Sequence, residues 1–345
     1  MRRTAVVAAS VALCLTATAA CGGGGKKDSS PTTTTEPGVT TTTLPPEPAF
    51  LTGLAQDDRK KQDRPALVVK IDNAPEARPQ TGLDRADVVF EEVVEGGIVR
   101  FLAIFHSKDA ESVGPVRSVR PVDPEIVTPL KPLFAYSGGT APFVAAIKKA
   151  PVTLVGYNEL TKAYTKRKGR PAPHNLFTST AELYKGAKDN ATPPPPLFTF
   201  LPSDQAFGVA GGSPLTHLDV QMGGPTKAGW DWDAGVGVWR RLTNGTPHTV
   251  ENGEQLGFAN VILQFVKYRN TSGRDAAGFP VPTAEVIGTG EAWVLSGGRL
   301  IKAKWSKNAA SSITTYTDSS GQAVRLRPGT TWVSLAPVGA QTTIR

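Results

Sequence analysis

The chain has 345 residues, of which 39% are hydrophobic, and it carries a formal net charge of +8. This length exceeds one average domain and predicts two domains with additional tails. The 35 glycines and 29 prolines favour an architecture of strands and turns over a helical bundle. The sequence contains no nucleic-acid-binding motif and no basic run interleaved with aromatic residues, so nucleic acid is not an expected partner.

The first 20 residues have the pattern of a secretory signal peptide. Arg2-Arg3 form the positive region, residues 5–15 form the apolar region, and small residues precede Cys21. The apolar run is too short for a transmembrane anchor. Thr18-Ala19-Ala20-Cys21 is similar to a bacterial lipobox, in which the cysteine receives a lipid such as palmitate. Thr18 stands where leucine is usual, and the alternative is an ordinary cleaved signal peptide.

A segment with few apolar side chains follows the signal peptide. Residues 22–48 are mainly Gly, Lys, Ser, Thr and Pro, a composition that cannot bury enough surface to fold. We therefore predict a lipidated Cys21 and a disordered tether over residues 21–63. The anchor would hold the protein on the extracytoplasmic face of the cell membrane. Cleavage before Cys21 leaves a single cysteine, so a disulfide is not expected.

The rest of the chain predicts an α+β fold in two parts. The first is an N-terminal α/β domain with a mixed sheet over residues 64–190. A proline-rich connection over residues 191–229 leads to a C-terminal, mostly antiparallel β domain over residues 230–345. Its strands are predicted over residues 230–241, 249–251, 260–269, 284–287, 291–295, 300–305, 313–317, 324–326 and 331–336.

Two runs rich in Val, Ile and Phe flank Gly96-Gly97 and predict a β-hairpin over residues 87–105. A two-residue turn would place Glu91 opposite Leu102. Because side chains alternate across a strand, Glu91, Glu95 and Arg100 would then share one face. The other face would be a core face, made of Phe90, Glu92, Val94, Val99, Phe101, Ala103 and Phe105. The face with Glu91 and Glu95 is either a structural ion network or the floor of a site.

Several segments, in this order, resemble the YerB-like lipoproteins, an exported bacterial family with a two-part domain of unknown function. They are Lys70-Ile71-Asp72-Asn73, Ala77-Arg78-Pro79-Gln80-Thr81-Gly82-Leu83, Ala86-Asp87-Val88-Val89-Phe90-Glu91, Val94-Glu95-Gly96-Gly97, Gly114-Pro115-Val116-Arg117-Ser118, Arg120-Pro121, Ala172-Pro173-His174-Asn175-Leu176, Asn260-Val261-Ile262-Leu263-Gln264 and Pro328-Gly329-Thr330-Thr331-Trp332. The resemblance implies an N-terminal α/β part, a β-rich C-terminal part and a membrane-anchored address, but no activity. Glu92 departs from the family pattern, in which an apolar residue is usual. Either the hairpin lies at a sheet edge or its register differs.

Arginines and carboxylates concentrate between residues 72 and 120. Guanidinium groups suit bidentate recognition of carboxylate or phosphate, which wall peptides and polymers present outside the cell. The favoured hypothesis is a non-enzymatic binding or scaffolding module for an anionic envelope ligand, peptidoglycan or a wall polymer, or for a protein partner. The expected ligand-binding residues are Asp72, Asn73, Arg78, Gln80, Arg100, Arg117, Arg120, His174 and Asn175. The alternative is that these arginines pair with Glu91 and Glu95 and donate hydrogen bonds to loop carbonyls inside the protein.

A second hypothesis is a wall-modifying hydrolase or transferase. Glu91 and Glu95 would share one strand face, where one carboxyl can act as acid and the other as base. His174 is the third candidate catalytic residue. The four histidines and two cysteines form no metal-binding motif, and no cofactor fingerprint occurs. We therefore expect neither a metal nor a cofactor.

Overall fold

The computed structural model describes residues 33–36, 39–42, 47–189, 191–208, 211–275 and 278–345. The chain divides into two compact units, residues 1–45 and residues 46–345. In the first unit, β1 (Thr33–Glu36) pairs antiparallel with β2 (Val39–Thr42). The predicted signal peptide and Cys21 lie outside the described residues.

The second unit is built mainly of strands joined by short helices. Its strands in the first half are β3 (Glu47–Pro48), β4 (Ala55–Gln56), β5 (Leu67–Ile71), β6 (Val88–Val93), β7 (Val99–Phe105), β8 (Leu133–Ala135), β9 (Thr153–Leu154), β10 (Tyr164–Lys166) and β11 (Leu176–Thr178). Those in the second half are β12 (Ser213–Pro214), β13 (His217–Gly223), β14 (Thr226–Asp233), β15 (Val238–Thr243), β16 (Thr246–Pro247), β17 (Gly257–Phe258), β18 (Asn260–Arg274), β19 (Pro280–Glu285), β20 (Gly288–Ser296), β21 (Arg299–Lys307), β22 (Thr315–Thr317), β23 (Thr331–Pro337) and β24 (Thr342–Ile344). The helices are α1 (Arg59–Asp63), α2 (Asp123–Val127), α3 (Ala141–Lys149) and α4 (Thr180–Tyr184), with 3-10 turns at Pro75–Ala77, Leu83–Arg85, Glu95–Gly97, Thr128–Leu130 and Thr161–Ala163.

A large mixed sheet dominates the unit, and it has 12 strands in the part of the chain that is described. Its hydrogen-bonded order is β12-β21-β20-β18-β23-β6-β7-β5-β8-β9, with β19 beside β18 and β22 beside β21. Strand β23 lies parallel to β18 on one side and to β6 on the other. Strands from before and after the Pro193 spacer therefore share one sheet. The mixed sheet and the small helix content agree with the predicted α+β class.

Both faces of this sheet are covered. A second, antiparallel sheet, β16-β15-β14-β13-β24 with β17 beside β15, contributes to the core on one face. There the Trp332 ring lies 5.4 Å from that of Trp230 and 5.1 Å from that of Phe258. The other face packs against residues of α2 and α3 and against Phe198. Because strands such as β5 are buried on both sides, their apolar residues run continuously instead of alternating.

The folded unit begins earlier than the predicted tether boundary at residue 63. Leu51 is fully buried, and β3 pairs with β4. Helix α1 has Asp58 as its N-cap, whose side chain accepts hydrogen bonds from the backbone N–H groups of Lys60 and Lys61. A single buried leucine in a polar segment is a weak sequence signal, so the composition alone placed the boundary too late.

The hairpin forms where it is predicted, but its register differs by one residue. Glu91 pairs with Phe101 and Glu92 pairs with Arg100. The connection is longer than two glycines, because the Val94 N–H donates to the Ile98 carbonyl at 2.8 Å. A slip of one residue moves each side chain to the opposite face of a strand. The predicted grouping of Glu91 with Arg100 is therefore wrong, and so is the assignment of Glu92 to the face of Phe101.

The strand predictions for the second half are mixed. The predicted strand over residues 230–241 is in fact two strands, β14 and β15, joined by a turn. Strand β13 was not predicted, although it pairs with both β14 and β24. The predictions around β18, β20, β21 and β23 are confirmed with shifted ends.

Candidate anion-binding site

The site is organised around Asp72, which directly follows β5 and is 1% exposed. Its Oδ2 lies 2.8 Å from His174 Nδ1 and 3.0 Å from Arg117 Nε. Its Oδ1 accepts a hydrogen bond from the Ala74 N–H at 3.2 Å and lies 4.0 Å from Arg100 Nε. Burial raises the pKa of Asp72, but Arg100, Arg117 and the hydrogen bonds outweigh it and hold this pKa below its ordinary value. Asp72 is therefore an ionised acceptor.

Arg117 and His174 are held by the backbone on either side of Asp72. The Arg117 N–H donates to the Lys70 carbonyl at 2.8 Å, and the Arg117 carbonyl accepts from the Ser137 N–H at 3.0 Å. The His174 N–H donates to the Pro171 carbonyl at 2.9 Å. Because an ionised carboxylate can only accept, His174 carries its proton on Nδ1 and directs Nε2 away from Asp72.

Glu95 binds two of the predicted arginines. Arg120 Nε donates to Glu95 Oε2 at 2.8 Å, and Arg120 Nη2 donates to Oε1. Arg100 Nη2 also donates to Glu95 Oε1, at 3.0 Å. Arg120 Nη1 donates to the Val119 carbonyl at 2.9 Å. The donors of Arg120 are thus used inside the protein, as expected if this residue is structural.

A buried charge cluster continues from this point. Lys70 Nζ donates to Asp123 Oδ1 at 2.8 Å and to Glu92 Oε1, and none of the three side chains is more than 3% exposed. Burial raises the pKa of Glu92, the Asp123 charge raises it further, and Lys70 opposes the shift. Sequence reasoning did not select these residues. The available signal was the charge of Lys70 and Glu92 within otherwise apolar strands, where an ionised group needs a partner.

Glu91 lies on the other face of the sheet, among partners far away in sequence. Its Oε1 accepts from Arg241 Nη2 at 2.6 Å, and its Oε2 accepts from Trp332 Nε1 at 3.0 Å and Ser334 Oγ at 2.7 Å. The side chains of Glu91 and Arg241 are both fully buried. Glu91 and Glu95 therefore do not form the predicted pair of catalytic carboxylates, because the register places them in separate clusters.

The remaining predicted residues have connecting roles. Gln80 Nε2 donates to Asn73 Oδ1 at 2.9 Å and to the Asp72 carbonyl at 3.0 Å, while Gln80 Oε1 lies 2.9 Å from His248 Nε2. Asn73 and Gln80 are buried, so they brace the turn after β5. Arg78 is half-buried. Burial is the main cause of the lowered pKa values of Arg241 and His248, and the charge of Arg78 lowers both further.

Asn175 contributes to the loop around His174 through its backbone, since its carbonyl accepts a hydrogen bond from the Arg167 N–H at 2.8 Å. Arg170 fixes the same loop, because Nη2 donates to the Pro79 carbonyl at 2.6 Å and Nη1 to the Ala77 carbonyl at 3.1 Å. These bonds hold the loop that carries His174 against the loop that carries Arg78.

Only the outer part of the cluster reaches solvent. The side chains of Arg117 and His174 are 23% and 14% exposed, whereas that of Arg100 is 4% exposed. Among the residues that the structure describes, Arg100 Nη1 has no hydrogen-bond partner although it is buried. A buried donor without a partner costs about 1–3 kcal/mol. An oxygen atom of a bound anion would relieve this cost.

Within the described ranges, no group of three or more His, Cys, Asp or Glu side chains is placed to hold a metal ion. No helix among the described residues is long and apolar enough to span a membrane.

The folded unit matches a known family over most of its length. Residues 51–193 match the N-terminal domain, and residues 218–333 the C-terminal domain, of a family described as proteins of unknown function, DUF3048. The chain is 27% identical over 304 residues to "Putative lipoprotein YerB" of Bacillus subtilis, which covers 84% of this chain and 86% of that protein. The crystal structure of the YerB protein from Bacillus subtilis matches with a TM-score of 0.71 at 23% identity, over 86% of this chain and 99% of that one. This structural match shows a shared fold.

Proposed function

Because this chain belongs to the DUF3048 family, and its relative from Bacillus subtilis is named as a putative lipoprotein, we propose that it too is a lipoprotein, anchored to the extracytoplasmic face of the cell membrane. Cys21 is the residue that receives the lipid, and the following segment holds the folded unit away from the membrane. The folded unit binds an anionic cell-envelope ligand, peptidoglycan or a wall polymer, at the opening formed by Arg117 and His174.

The observation that carries the binding proposal is the buried, unpartnered Nη1 of Arg100 near the same carboxylate that orients Arg117 and His174. Two guanidinium groups and an imidazole converge on Asp72, and two of the three reach solvent. Fixed donors of this kind bind a carboxylate or a phosphate oxygen with little loss of side-chain entropy, since the side chains are already ordered.

Net charge contributes little to this site. The cluster holds the cations Lys70, Arg100, Arg117 and Arg120 and the carboxylates Asp72, Glu92, Glu95 and Asp123, and the charge of Asp275 also acts on Arg100. The positive and negative charges of the cluster therefore balance, or the negative charges slightly exceed the positive ones. Recognition depends on directed donors, while the exposed Lys162, Lys166 and Lys168 before His174 supply long-range attraction to a polymer.

The test is retention on purified bacterial cell wall, measured by pelleting and quantifying the protein in both fractions. We expect the wild-type protein to pellet with the wall, and Arg117→Gln and His174→Ala each to reduce the retained fraction at least about tenfold, as for loss of a charge-assisted contact. Arg59→Gln is the matched control, because the Arg59 side chain is 66% exposed and pairs with Glu47 at the surface. Equal retention of the wild type and Arg117→Gln would refute the proposed site.

A further inference from the structure

A cavity lies far from the Asp72 cluster in sequence and shares none of its residues. It has a volume of about 300 Å³, and its lining is predominantly apolar. Ile262 of β18 and Val294 of β20 form part of its floor, and Phe198 and Leu326 are among the side chains that cover it. This volume lies at the lower limit of small-molecule sites, which are mostly apolar with a few placed polar groups.

The cover of this cavity is a fixed part of the fold. The Leu201 N–H donates to the Leu326 carbonyl at 2.7 Å, and the Leu326 N–H donates to the Thr199 carbonyl at 2.9 Å. These bonds hold the segment from Pro196 to Leu201 over the sheet face. The cavity is therefore a preformed feature of the resting structure.

A smaller chamber, whose lining is mainly apolar but includes a few polar side chains, adjoins the apolar cavity. The two share the lining residues Leu197, Phe198, Ile313, Thr314 and Tyr316. The chamber has a volume of about 30 Å³ and is also lined by Lys307, Glu125 and Gln264. Gln264 is already engaged, because its Oε1 accepts from the Tyr316 hydroxyl at 2.8 Å.

Lys307 is the unusual group in this chamber. It is 3% exposed, and its ammonium donates to the Ser312 carbonyl. No carboxylate of the described residues lies within ion-pair distance of it. Burial lowers the pKa of Lys307 to about 8, and the charge of Glu125 opposes this shift. A buried ammonium without an ionic partner is unfavourable, and a bound anion would stabilise it.

We propose that the cavity and the chamber together form a binding site for an amphiphile with one alkyl chain and a carboxylate head group. The alkyl chain lies against Ile262, Val294 and Phe198, and the carboxylate accepts a hydrogen bond from Lys307. The size of the chamber favours a carboxylate over the bulkier phosphate head group of a phospholipid.

The test is isothermal titration of the full-length Cys21→Ser protein, which cannot be acylated, with sodium dodecanoate and with dodecanol below their aggregation limits. We expect wild-type Lys307 protein to bind both probes. Lys307→Met should weaken the affinity for dodecanoate at least about tenfold and the affinity for dodecanol by less than about twofold, because only dodecanoate is charged. Lys304→Met is the matched control, as Lys304 lies on the same strand with an exposed side chain.

Occupancy of the apolar cavity is tested with Val294→Phe, which fills it from the sheet. This variant should bind neither probe, while its thermal unfolding remains cooperative. If it does not fold, Ala323→Phe at the exposed rim replaces it. The proposal is overturned if wild type does not bind dodecanoate, if Lys307→Met binds it as tightly as wild type, or if binding persists in a folded cavity-filling variant. Arg117→Gln, which tests the wall-binding site, should leave dodecanoate affinity unchanged.

Discussion

Glu91 and Glu95 belong to the same hairpin, yet their side chains have different partners. Glu95 binds Arg100 and Arg120 within its own part of the chain, whereas Glu91 binds Arg241, Trp332 and Ser334. The Arg241 guanidinium also lies 5.1 Å from the Trp230 ring and 5.3 Å from the Trp332 ring. Every polar atom of the Glu91 carboxylate has a partner, and none reaches solvent. Glu91 is therefore a structural residue.

Substitution of Glu91 by Gln should confirm this role. The change leaves the Arg241 charge buried without its counter-ion, so we expect the free energy of unfolding to fall by about 3–5 kcal/mol. Urea denaturation measures the effect. Glu182→Gln is the control, because the Glu182–Lys185 pair is exposed and its loss should change stability by less than about 1 kcal/mol. A Glu91→Gln protein as stable as the wild type would contradict the structural role of Glu91.

His248 makes the protein sensitive to acid. Burial and the charges of Arg241 and Arg78 lower its pKa to about 3, so it is neutral in the folded protein at pH values where an unfolded histidine binds a proton. Between about pH 6.5 and pH 3 the unfolded state binds more protons, and this group lowers stability by up to about 1.4 kcal/mol per pH unit. Above about pH 6.5 the ring is neutral in both states, so the loss of stability caused by this group disappears there.

The pH dependence of urea denaturation tests this expectation, with His248→Gln as the variant. Glutamine has no titrating ring, so the fall in stability below about pH 6.5 should become shallower by up to the slope of one proton. His174→Ala is the comparison variant, because His174 is partly exposed. If His248→Gln and wild type show the same slope, another group causes the acid sensitivity.

At the scale of elements, the hairpin shows what local patterns can and cannot predict. The alternation of Val, Ile and Phe located β6 and β7, since branched and aromatic residues favour strands. The register depends on the turn, and Gly96-Gly97 suits a two-residue turn as well as the longer connection that forms. Both faces of the hairpin are buried, so the apolar pattern could not correct a one-residue error. Glu92, unusual for the resembling family, was the one residue that signalled it.

The longer connection packs against a second turn. Gly97 has φ +70°, and a Cβ atom there would lie 2.9 Å from the Gly224 nitrogen in the turn between β13 and β14. Gly96 has φ +72°, but a Cβ atom there would have no neighbour within 4 Å. The two glycines thus share their backbone conformation and differ in the contact alone.

This pair offers a matched experiment. Gly96→Ala should cost about 1–2 kcal/mol for the left-handed conformation, and Gly97→Ala should cost about 1–3 kcal/mol more, because the new methyl group overlaps the Gly224 backbone. Chemical denaturation of both variants provides the comparison. Equal destabilisation would mean that the hairpin and the β13–β14 turn do not touch in solution.

At the scale of the whole molecule, the two family segments form one structure. Strands β12 to β24 all lie after the composition change at Pro193, but strand pairing between distant segments leaves no local pattern. Thr331 lies beside Val88, and Ser334 lies beside Glu91, contacts that only the folded chain reveals. For the same reason the cluster around Asp72 was predicted in part, since Arg100, Arg117 and His174 carried recognisable chemistry, whereas Arg241 and Trp332 did not point to Glu91.

A shared sheet predicts cooperative unfolding of both halves. Hydrogen exchange measured by mass spectrometry at increasing urea concentrations should show peptides from β5 and from β20 losing protection at the same midpoint, because breaking β23 from β6 removes a central pair of strands. Two separate midpoints would show that each half is stable by itself.

The position of β23 also matters for biosynthesis. Among the described strands of this sheet it leaves the ribosome last, yet it completes the middle of the sheet between β18 and β6. Until it arrives, β6 has an unpaired edge in a run of apolar residues, which is a template for association with other chains. A premature stop codon before Thr331 therefore removes far more than a terminal segment. It leaves a nascent chain that cannot close its sheet. We expect quality-control proteases to degrade this chain, so that no shortened active protein accumulates.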